Sequence, residues 1–201
     1  MRALIEHSRD AGSPYTVSDV FSDKPDAPGL ILARGLGVRA QALAVPPTAD
    51  RAAYDELLST AIRNCEPSLI VLAGYMRILS GQFVHEFAGR ILNIHPSLLP
   101  KFPGLHTHRR ALEARDKQHG ATVHFVTEQL DAGPAIIQAR VPVLANDDEP
   151  SLSARVQAAE HRIYPRAVRW FCEGRLRFES GRAVLDGRVL GEPIQHAESA
   201  R

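Results

Sequence analysis

Apolar residues form two continuous runs in the chain, and each run is followed by glycine, proline or polar residues. "SLIVLAGY" covers 68–75 and "RILNIH" covers 90–95. Such runs are typical of strands that are buried on both faces of a parallel sheet. "ATVHFVTEQ" and "PAIIQARVPV" predict two further strands, at 121–129 and 134–143, joined by the short sequence "LDAG". Shorter strands are predicted at 15–23 and 39–45.

Between these strands, apolar residues recur every three to four positions, as they do along one face of a helix. The longest such pattern starts at Ser151, with a kink expected near Pro165. Its apolar positions are Leu152, Val156, Ala159, Ile163, Ala167 and Trp170. Other helices are predicted over 1–12, 25–38, 48–67, 80–89 and 106–120. The segment 175–190 predicts a small hairpin, and 195–201 are expected to be loose.

This alternation of strands and helices predicts a single α/β domain over residues 1–201. We expect a Rossmann-like, mainly parallel sheet with helices on both faces, followed by a small C-terminal hairpin. Sheets of this kind bind ligands beyond the carboxyl ends of their strands. Functional residues are therefore expected in "AGYMR", after the first buried run, and in "NIHP", after the second.

The composition excludes several classes of partner. The net charge is +1, from 24 basic and 23 acidic residues, and no basic block predicts binding to nucleic acid or to an anionic membrane. No signal peptide is recognised, and no apolar run approaches the ~18 residues of a membrane helix. We expect a cytoplasmic protein. Cys65 and Cys172 are interpreted as free thiols, and a single disulfide between them is the alternative.

Asn93 and His95 lie two residues apart at the end of the run 90–95, directly before Pro96. Because side chains alternate along a strand, both point to the same side of the sheet. An asparagine amide can donate to an oxygen that gains negative charge, and an imidazole can transfer a proton near neutral pH. A polar strand end that merely caps the loop is the alternative, so these two residues alone leave catalysis open.

Asp131 lies in the turn "LDAGP" between two predicted strands. Aspartate is common in turns, but a carboxylate beside a histidine can also orient the ring or favour its charged form. Asn93, His95 and Asp131 therefore form a candidate acyl-transfer site, and no nucleophile elbow predicts a covalent intermediate. His106 and His108 are interpreted as helix-start or pocket residues, because helix positions two apart diverge. No metal site is predicted.

Several segments together resemble one enzyme family: "VLAGYMRIL", "GRILNIHPSLLPKFPGLHTHRRAL", "GATVHFVTEQLDAGPAIIQARVPV" and "RVQAAEHRIYP". The family is phosphoribosylglycinamide formyltransferase, the folate-dependent glycinamide ribonucleotide transformylase of purine synthesis. The resemblance extends from about Val20 onward. It implies the formyltransferase fold and the transfer of a formyl group from 10-formyltetrahydrofolate, a co-substrate, to the amine of glycinamide ribonucleotide. The amine would attack directly, through a tetrahedral intermediate and without a metal.

The resemblance also implies roles for individual residues. Asn93 would donate to the oxyanion, His95 would take part in proton transfer, and Asp131 would set the charge state of His95 and hold a relay water. Folate contacts are implied for Arg51, Arg77, Leu79 and Asn93. Nucleotide-substrate contacts are implied for Gly74, Met76, Pro96 and Glu160, and Glu160 would bind the ribose hydroxyls.

Three of these contacts have simpler alternatives in the sequence. Arg77 alternatively is a solvated loop cation, and Arg51 a helix residue without a ligand. Glu160 alternatively forms an ion pair on the surface of its helix, with Arg155 or Arg162.

The start of the chain departs from the family pattern. The family opens with a strand and a turn of the type G-x-G-S-N, whose backbone amides cradle the substrate phosphate. "MRALIEHSRDAG" instead resembles the interior of the following helix, which implies that the N-terminal strand and turn are missing. Either the start codon is assigned too late, or the protein is a truncated relative of the family. Without this strand the sheet is expected to contain a gap or an unpaired edge. We also expect the chain as written to transfer formyl groups poorly.

Other functions stay open at this point. Formyltetrahydrofolate deformylase and methionyl-tRNA formyltransferase share the N-x-H…D-x-G skeleton, although each carries a further domain that does not fit in 201 residues. A catalytically weakened folate-binding relic is the third alternative. The expected partners are small-molecule substrates, and the expected state is a monomer or a homodimer.

Overall fold

The computed structural model describes residues 1–45 and 50–196. Helices and strands alternate along these residues. The helices are α1 (Arg2–His7), α2 (Pro28–Gly35), α3 (Arg51–Arg63), α4 (Gly81–Glu86), α5 (Thr107–Glu113) and α6 (Glu149–Cys172). The strands are β1 (Asp19–Ser22), β2 (Arg39–Ala42), β3 (Ile70–Leu72), β4 (Ile91–His95), β5 (Gln118–Phe125), β6 (Ala135–Pro142), β7 (Leu176–Glu179), β8 (Arg182–Leu185), β9 (Arg188–Val189) and β10 (Ile194–His196).

The central sheet has five strands in the order β10-β6-β5-β4-β3. β3 pairs in parallel with β4, and β10 pairs in parallel with β6. β5 runs antiparallel to both of its neighbours, because a short turn joins it to β6. Four strands therefore run in one direction and β5 alone is reversed, which confirms the prediction of a mainly parallel sheet.

Helices pack against both faces of this sheet and form two apolar clusters. The larger cluster joins α6 to β5 and β6, with contributions from α1 and α5. The second cluster, on α3, α4 and β4, is formed by Tyr54, Leu58, Ile62, Phe83, Phe87 and Ile91. Each fully buried side chain of this size contributes about 1.5–3 kcal/mol, so both helix layers are held by burial of apolar surface.

β1 and β2 form a separate parallel pair. Within the described residues, no strand pairs with the second edge of β1 or with the outer edge of β3. A cavity of about 870 Å³ is lined by residues 14–24, around β1, and by residues 65–76, around β3. The expected gap in the sheet is therefore present between β1 and β3.

The longest helix, α6, ties the sheet to the apolar cluster beneath it. It begins at Glu149, two residues before the predicted start, because Asp148 and Ser151 form a reciprocal capping box. Pro165 lies inside the helix, which continues to Cys172. The hydroxyl oxygen of Tyr164 lies 2.7 Å from the carbonyl oxygen of Leu72 and 2.9 Å from that of Leu92. α6 is thereby fixed to both β3 and β4.

Three details differ from the sequence prediction. The helix predicted over 106–120 ends at Glu113, because Arg115 adopts a positive φ of 52°, and β5 then begins at Gln118. The predicted C-terminal hairpin is a three-stranded antiparallel sheet, β7-β8-β9, because a second turn follows β8. The predicted loose tail begins inside β10, whose pairing with β6 involves residues far apart in sequence. Residues 197–201 lie outside the described ranges.

The described helices contain no segment long and apolar enough to cross a membrane. Cys65 and Cys172 are both free thiols and half-buried, in agreement with their interpretation from the sequence.

Candidate active site

The carboxyl end of β4 carries Asn93 and His95, two of the three candidate catalytic residues. In the register with β5, Asn93 is aligned with His124 and His95 with Thr122. Because strand side chains alternate, these four residues lie on one face of the sheet. His95, Thr122 and His124 are buried, and Asn93 is half-buried. The two candidates therefore share one face with two polar partners from β5.

His124 orients the amide of Asn93. Asn93 Nδ2 lies 3.2 Å from His124 Nε2, and His124 Nδ1 lies 2.9 Å from the carbonyl oxygen of Phe125. A carbonyl only accepts, so Nδ1 carries the ring proton and Nε2 accepts from Asn93. Burial lowers the pKa of His124, which keeps the ring neutral. The amide nitrogen has a second N–H, which is suited to a substrate oxygen.

His95 contacts a loop carbonyl with one ring nitrogen and a carboxylate with the other. Nε2 lies 2.9 Å from the carbonyl oxygen of Phe102 and therefore donates to it. Nδ1 lies 3.5 Å from Asp131 Oδ2, and both side chains are only 7% exposed. The carboxylate of Asp131 is therefore close enough to Nδ1 to orient the imidazole of His95.

The turn that carries Asp131 is fixed by backbone geometry. Asp131 has a positive φ of 52°, which aspartate tolerates better than most residues. Its Oδ2 accepts the N–H of Gly104 at 2.8 Å, and its Oδ1 lies 3.9 Å from His124 Nε2. A Cβ at Gly133 would lie 1.8 Å from the carbonyl oxygen of Phe125, so only glycine fits. The turn thus holds one carboxylate beside both imidazoles.

Side chains of the sheet hold the proline-rich loop 96–106 in place. Thr122 Oγ1 donates to the carbonyl oxygen of Ser97 at 2.7 Å and accepts the N–H of Leu99 at 3.1 Å. Gln138 Nε2 donates to the carbonyl oxygen of Leu99 at 2.8 Å. These bonds satisfy loop groups that no strand ladder reaches. The loop in turn contacts both the imidazole of His95 and the carboxylate beside it.

Comparison with known proteins agrees with this arrangement. Residues 1–168 match the family described as Formyl transferase. The chain is 51% identical over 190 residues to phosphoribosylglycinamide formyltransferase of Escherichia coli (strain K12), covering 94% of this chain and 90% of that protein. The chain belongs to the formyl transferase family.

Solved structures of the family show the same fold. Phosphoribosylglycinamide formyltransferase of Coxiella burnetii has a TM-score of 0.89 at 40% identity, with 96% of this chain and 92% of that chain covered. A formyltetrahydrofolate deformylase of Pseudomonas syringae pv. tomato has a TM-score of 0.77 at 29% identity, with 85% of this chain but 56% of that chain covered. Identity and coverage are therefore both higher for the phosphoribosylglycinamide formyltransferase.

The loop 73–80 after β3 contains four of the residues for which family resemblance implies substrate contacts: Gly74, Met76, Arg77 and Leu79. Met76 is 73% exposed, whereas Arg77 is half-buried. The guanidinium carbon of Arg77 lies 4.6 Å from the ring centroid of Tyr54, and its NH1 lies 4.0 Å from Asp23 Oδ2. Arg77 is therefore held by protein groups and is not a freely solvated loop cation.

Glu160 lies on α6 one turn before Tyr164, whose hydroxyl contacts the carbonyl oxygens of Leu72 in β3 and Leu92 in β4. Burial raises the pKa of Glu160 to about 7, and the positive amino group of Met1 offsets part of this increase. Arg155, one of its alternative ion-pair partners, is engaged by Asp147 at 2.6 Å. A half-buried carboxyl group on this helix is suited to accept hydrogen bonds from sugar hydroxyls.

Arg51 and Pro96 occupy different environments. Arg51 is the first residue of α3 and is exposed, and its side chain makes no hydrogen bond or ion pair with another residue of the described ranges. Pro96 directly follows His95 and is half-buried at the start of the proline-rich loop. Pro96 is thus adjacent to the candidate centre in sequence, whereas none of the contacts described above links Arg51 to it.

The remaining histidines near the loop have structural contacts. His106 has a positive φ of 57° and occupies the N-cap position of α5 without a side-chain cap bond. His108 Nδ1 lies 3.1 Å from His119 Nε2, and burial lowers the pKa of both, that of His119 to about 4. Within the residues that the structure describes, no group of three His, Cys, Asp or Glu could hold a metal.

Three residues that support the candidate site have no role predicted from the sequence: Thr122, His124 and Gln138. "ATVHF" contains Thr122 and His124 two positions apart on a predicted strand, which is the same signal that singled out Asn93 and His95. The pairing of β4 with β5 was needed to bring the two pairs together.

Proposed function

We propose that this chain transfers the formyl group of 10-formyltetrahydrofolate to the amine of glycinamide ribonucleotide, a step of purine synthesis. The observation that carries the proposal is the buried group formed by Asn93, His95 and Asp131 at the end of β4, with a 3.5 Å distance between the imidazole and the carboxylate. The 51% identity to the Escherichia coli phosphoribosylglycinamide formyltransferase supports the choice of both substrates.

The reaction needs stabilisation of one oxygen and the movement of one proton. The amine nitrogen attacks the formyl carbon, and the carbonyl electron pair moves to oxygen to give a tetrahedral oxyanion. The free N–H of Asn93 donates to that oxygen, an interaction whose loss typically lowers the rate by about 10²–10³. The imidazole of His95, which Asp131 approaches at 3.5 Å, is the second group that would stabilise the intermediate and take part in proton transfer.

Collapse of the intermediate breaks the bond between the formyl carbon and the folate nitrogen. The leaving nitrogen gains a proton, and the attacking nitrogen loses one, so the products are the formylated amine and tetrahydrofolate. His95 takes part in moving these protons, and a water held by Asp131 completes the path. This step needs no metal and no covalent enzyme intermediate.

The substrates are assigned to two sides of the centre. The folate is assigned to Arg51, Arg77, Leu79 and Asn93. The ribonucleotide is assigned to Gly74, Met76, Pro96 and Glu160, with its ribose hydroxyls on Glu160. The carboxyl group of Glu160 is half-buried, and hydrogen bonds from two hydroxyls would compensate its charge.

The test is a steady-state assay with purified protein, 10-formyltetrahydrofolate and glycinamide ribonucleotide. Formylated ribonucleotide is the expected product, and omission of the ribonucleotide should abolish folate turnover. Formate release that is independent of the ribonucleotide would instead indicate a deformylase, and folate binding without turnover would indicate the relic. Formylation of methionyl-tRNA would indicate a methionyl-tRNA formyltransferase.

Substitution of the three central residues tests the mechanism. Asn93→Ala, His95→Ala and Asp131→Ala are each expected to lower kcat by about 10²-fold or more, since each removes an electrostatic or proton-transfer contribution. Near-normal kcat in all three variants would contradict the assignment. A cytoplasmic location, a monomeric or homodimeric state, and the absence of nucleic-acid and membrane partners stay predictions from the sequence.

A further inference from the structure

A group of polar side chains lies in and under the loop 73–80, and only one of them, Arg77, has a role in the proposed function. We define this polar cluster as Asp23, Tyr54, Asp55, Tyr75 and Arg77. Within the described residues, four buried side-chain atoms have no hydrogen-bond partner, and three of them belong to this cluster: Asp55 Oδ1, Tyr75 OH and Arg77 Nε. Unsatisfied buried polar groups are rare and costly, so their concentration under one loop indicates a specific role.

The loop above the cluster has little support of its own. Within the described ranges, the backbone of residues 74–79 makes no hydrogen bond to another residue. The next residue, Ser80, donates its backbone N–H to Asp55 Oδ2 at 2.5 Å. Ser80 is also the N-cap of α4, and its Oγ accepts the N–H of Phe83. Asp55 therefore fixes the point at which the loop meets α4.

A second contact from the same helix holds the middle of the loop. Tyr54, adjacent to Asp55 on α3, lies under the guanidinium group of Arg77 at 4.6 Å from its ring centroid. Along the loop, Tyr75, Arg77 and Leu79 are half-buried, whereas the intervening Met76 and Ile78 are exposed. The loop is thus an extended segment with alternate side chains turned towards α3, which contacts it at two successive positions.

Burial makes the contact of Asp55 specific. Asp55 is only 3% exposed, and the N–H of Ser80 is the donor that its carboxylate uses. A buried carboxylate requires such a donor, because an uncompensated buried charge is strongly unfavourable. Burial together with the neighbouring Tyr54 and Asp55 raises the pKa of Tyr75, so its hydroxyl stays neutral. Loop and helix are consequently coupled by a strong, directional contact.

We propose that Asp55 is a positioning residue for the formyl-folate site, acting through Ser80 to fix the loop that carries Arg77 and Leu79. The inference rests on the proposed function, because it takes the ligand of those two residues to be the folate co-substrate. Asp55 itself touches neither the substrate nor the reacting atoms. Loss of its contact should therefore weaken folate binding and leave the chemical step nearly unchanged.

Two pairs of variants remove the contact from opposite sides. Asp55→Ala removes the acceptor, whereas Asp55→Asn keeps an oxygen that can accept the Ser80 N–H. Ser80→Pro removes the donor, and the φ of −69° at Ser80 already suits proline. Ser80→Ala is its matched control, because it loses the same hydroxyl cap but keeps the N–H.

Asp55→Ala and Ser80→Pro are both expected to raise the KM for 10-formyltetrahydrofolate about tenfold or more, because each variant loses a hydrogen bond to a charged group. Asp55→Asn and Ser80→Ala should stay within about threefold of the unaltered chain, and kcat should change little in all four. Equal KM values in Ser80→Pro and Ser80→Ala would overturn the proposal, as would a loss confined to kcat.

Amide hydrogen exchange tests the same contact without any substrate. Exchange of the hydrogen-bonded amides in the peptide 81–87, which covers α4, should be faster in Asp55→Ala and Ser80→Pro than in the two control variants, because the contact fixes the start of this helix. Unchanged exchange would overturn the proposal even if activity falls. If the unaltered chain transfers no formyl group, the proposed function fails, and calorimetric binding of 10-formyltetrahydrofolate replaces KM. The positioning role would then be overturned if Asp55→Ala and Ser80→Pro bound 10-formyltetrahydrofolate with the same dissociation constants as their control variants. It would also be overturned if the unaltered chain did not bind this folate.

Discussion

Glu160→Gln is expected to stabilise the folded chain at pH 8 and to leave its stability nearly unchanged at pH 4. The carboxyl group lies on α6 and burial raises its pKa to about 7, from the 4.5 of a glutamate in water. Glutamine has the same shape but no charge, so it keeps the packing and removes the cost of ionisation in a buried place.

The sign follows from the protons bound in each state. Between pH 4.5 and about 7 the unfolded chain releases the proton of Glu160 while the folded chain keeps it. The free energy of unfolding therefore falls as the pH rises through this window. At about 1.4 kcal/mol for each pH unit, the full effect is about 3 kcal/mol. Solvent screening of the partly exposed carboxylate lowers the expected value to about 2 kcal/mol.

The assay is urea unfolding of both proteins at pH 4 and pH 8. The difference between them isolates Glu160, because all other titrating groups are shared, and equal stability at pH 4 shows that the packing is intact. We expect the variant to be more stable by about 2 kcal/mol at pH 8 only. The same difference at both pH values would refute the reasoning, because it would show that Glu160 ionises as it does in water.

Three further predictions concern residues around the centre. Gly133→Ala should destabilise the chain by about 1–3 kcal/mol in urea unfolding and lower kcat, because its Cβ would collide with the Phe125 carbonyl and move the turn of Asp131. The pKa of His119 is lowered to about 4, so its neutral form contributes stability that is present above pH 6.5 and is lost as the pH falls towards 4. Urea unfolding should therefore show that the free energy of unfolding falls by about 2 kcal/mol between pH 6.5 and pH 4, and this loss should be absent from His119→Gln. Tyr164→Phe should lower the free energy of unfolding by about 1–3 kcal/mol, because the hydroxyl that contacts the carbonyl oxygens of Leu72 and Leu92 is lost; unchanged stability would contradict the role of this hydroxyl.

Part of the candidate site follows from local sequence alone. Asn93 and His95 could be assigned to one side of a strand end because they are two residues apart and precede Pro96. The role of Asp131 could be suggested only by chemistry and resemblance, since 36 residues separate it from His95. Its approach to 3.5 Å depends on the antiparallel pairing of β4, β5 and β6, which brings the turn back to the strand end.

The supporting contacts were harder to foresee. His124 and Thr122 were visible as a period-two pair, but their partners were not, because strand register is set by packing on both faces. The contact of Asp55 with Ser80 joins α3 to the start of α4 across 25 positions, and no local pattern in "YDELL" distinguishes a buried aspartate from a solvated one. Burial is a property of the assembled layers and not of a helix taken alone.

By itself, the sequence determined the kind and order of most elements, since hydrophobic periodicity and turn residues act over a few positions. It also determined that Asn93 and His95 share a face. The tertiary structure decided the reversal of β5, the separation of β1–β2 from the main sheet, the addition of β10 and the groups that surround His95. These features depend on contacts between distant segments, whose free energy comes from joint burial and is therefore fixed only when all layers pack together.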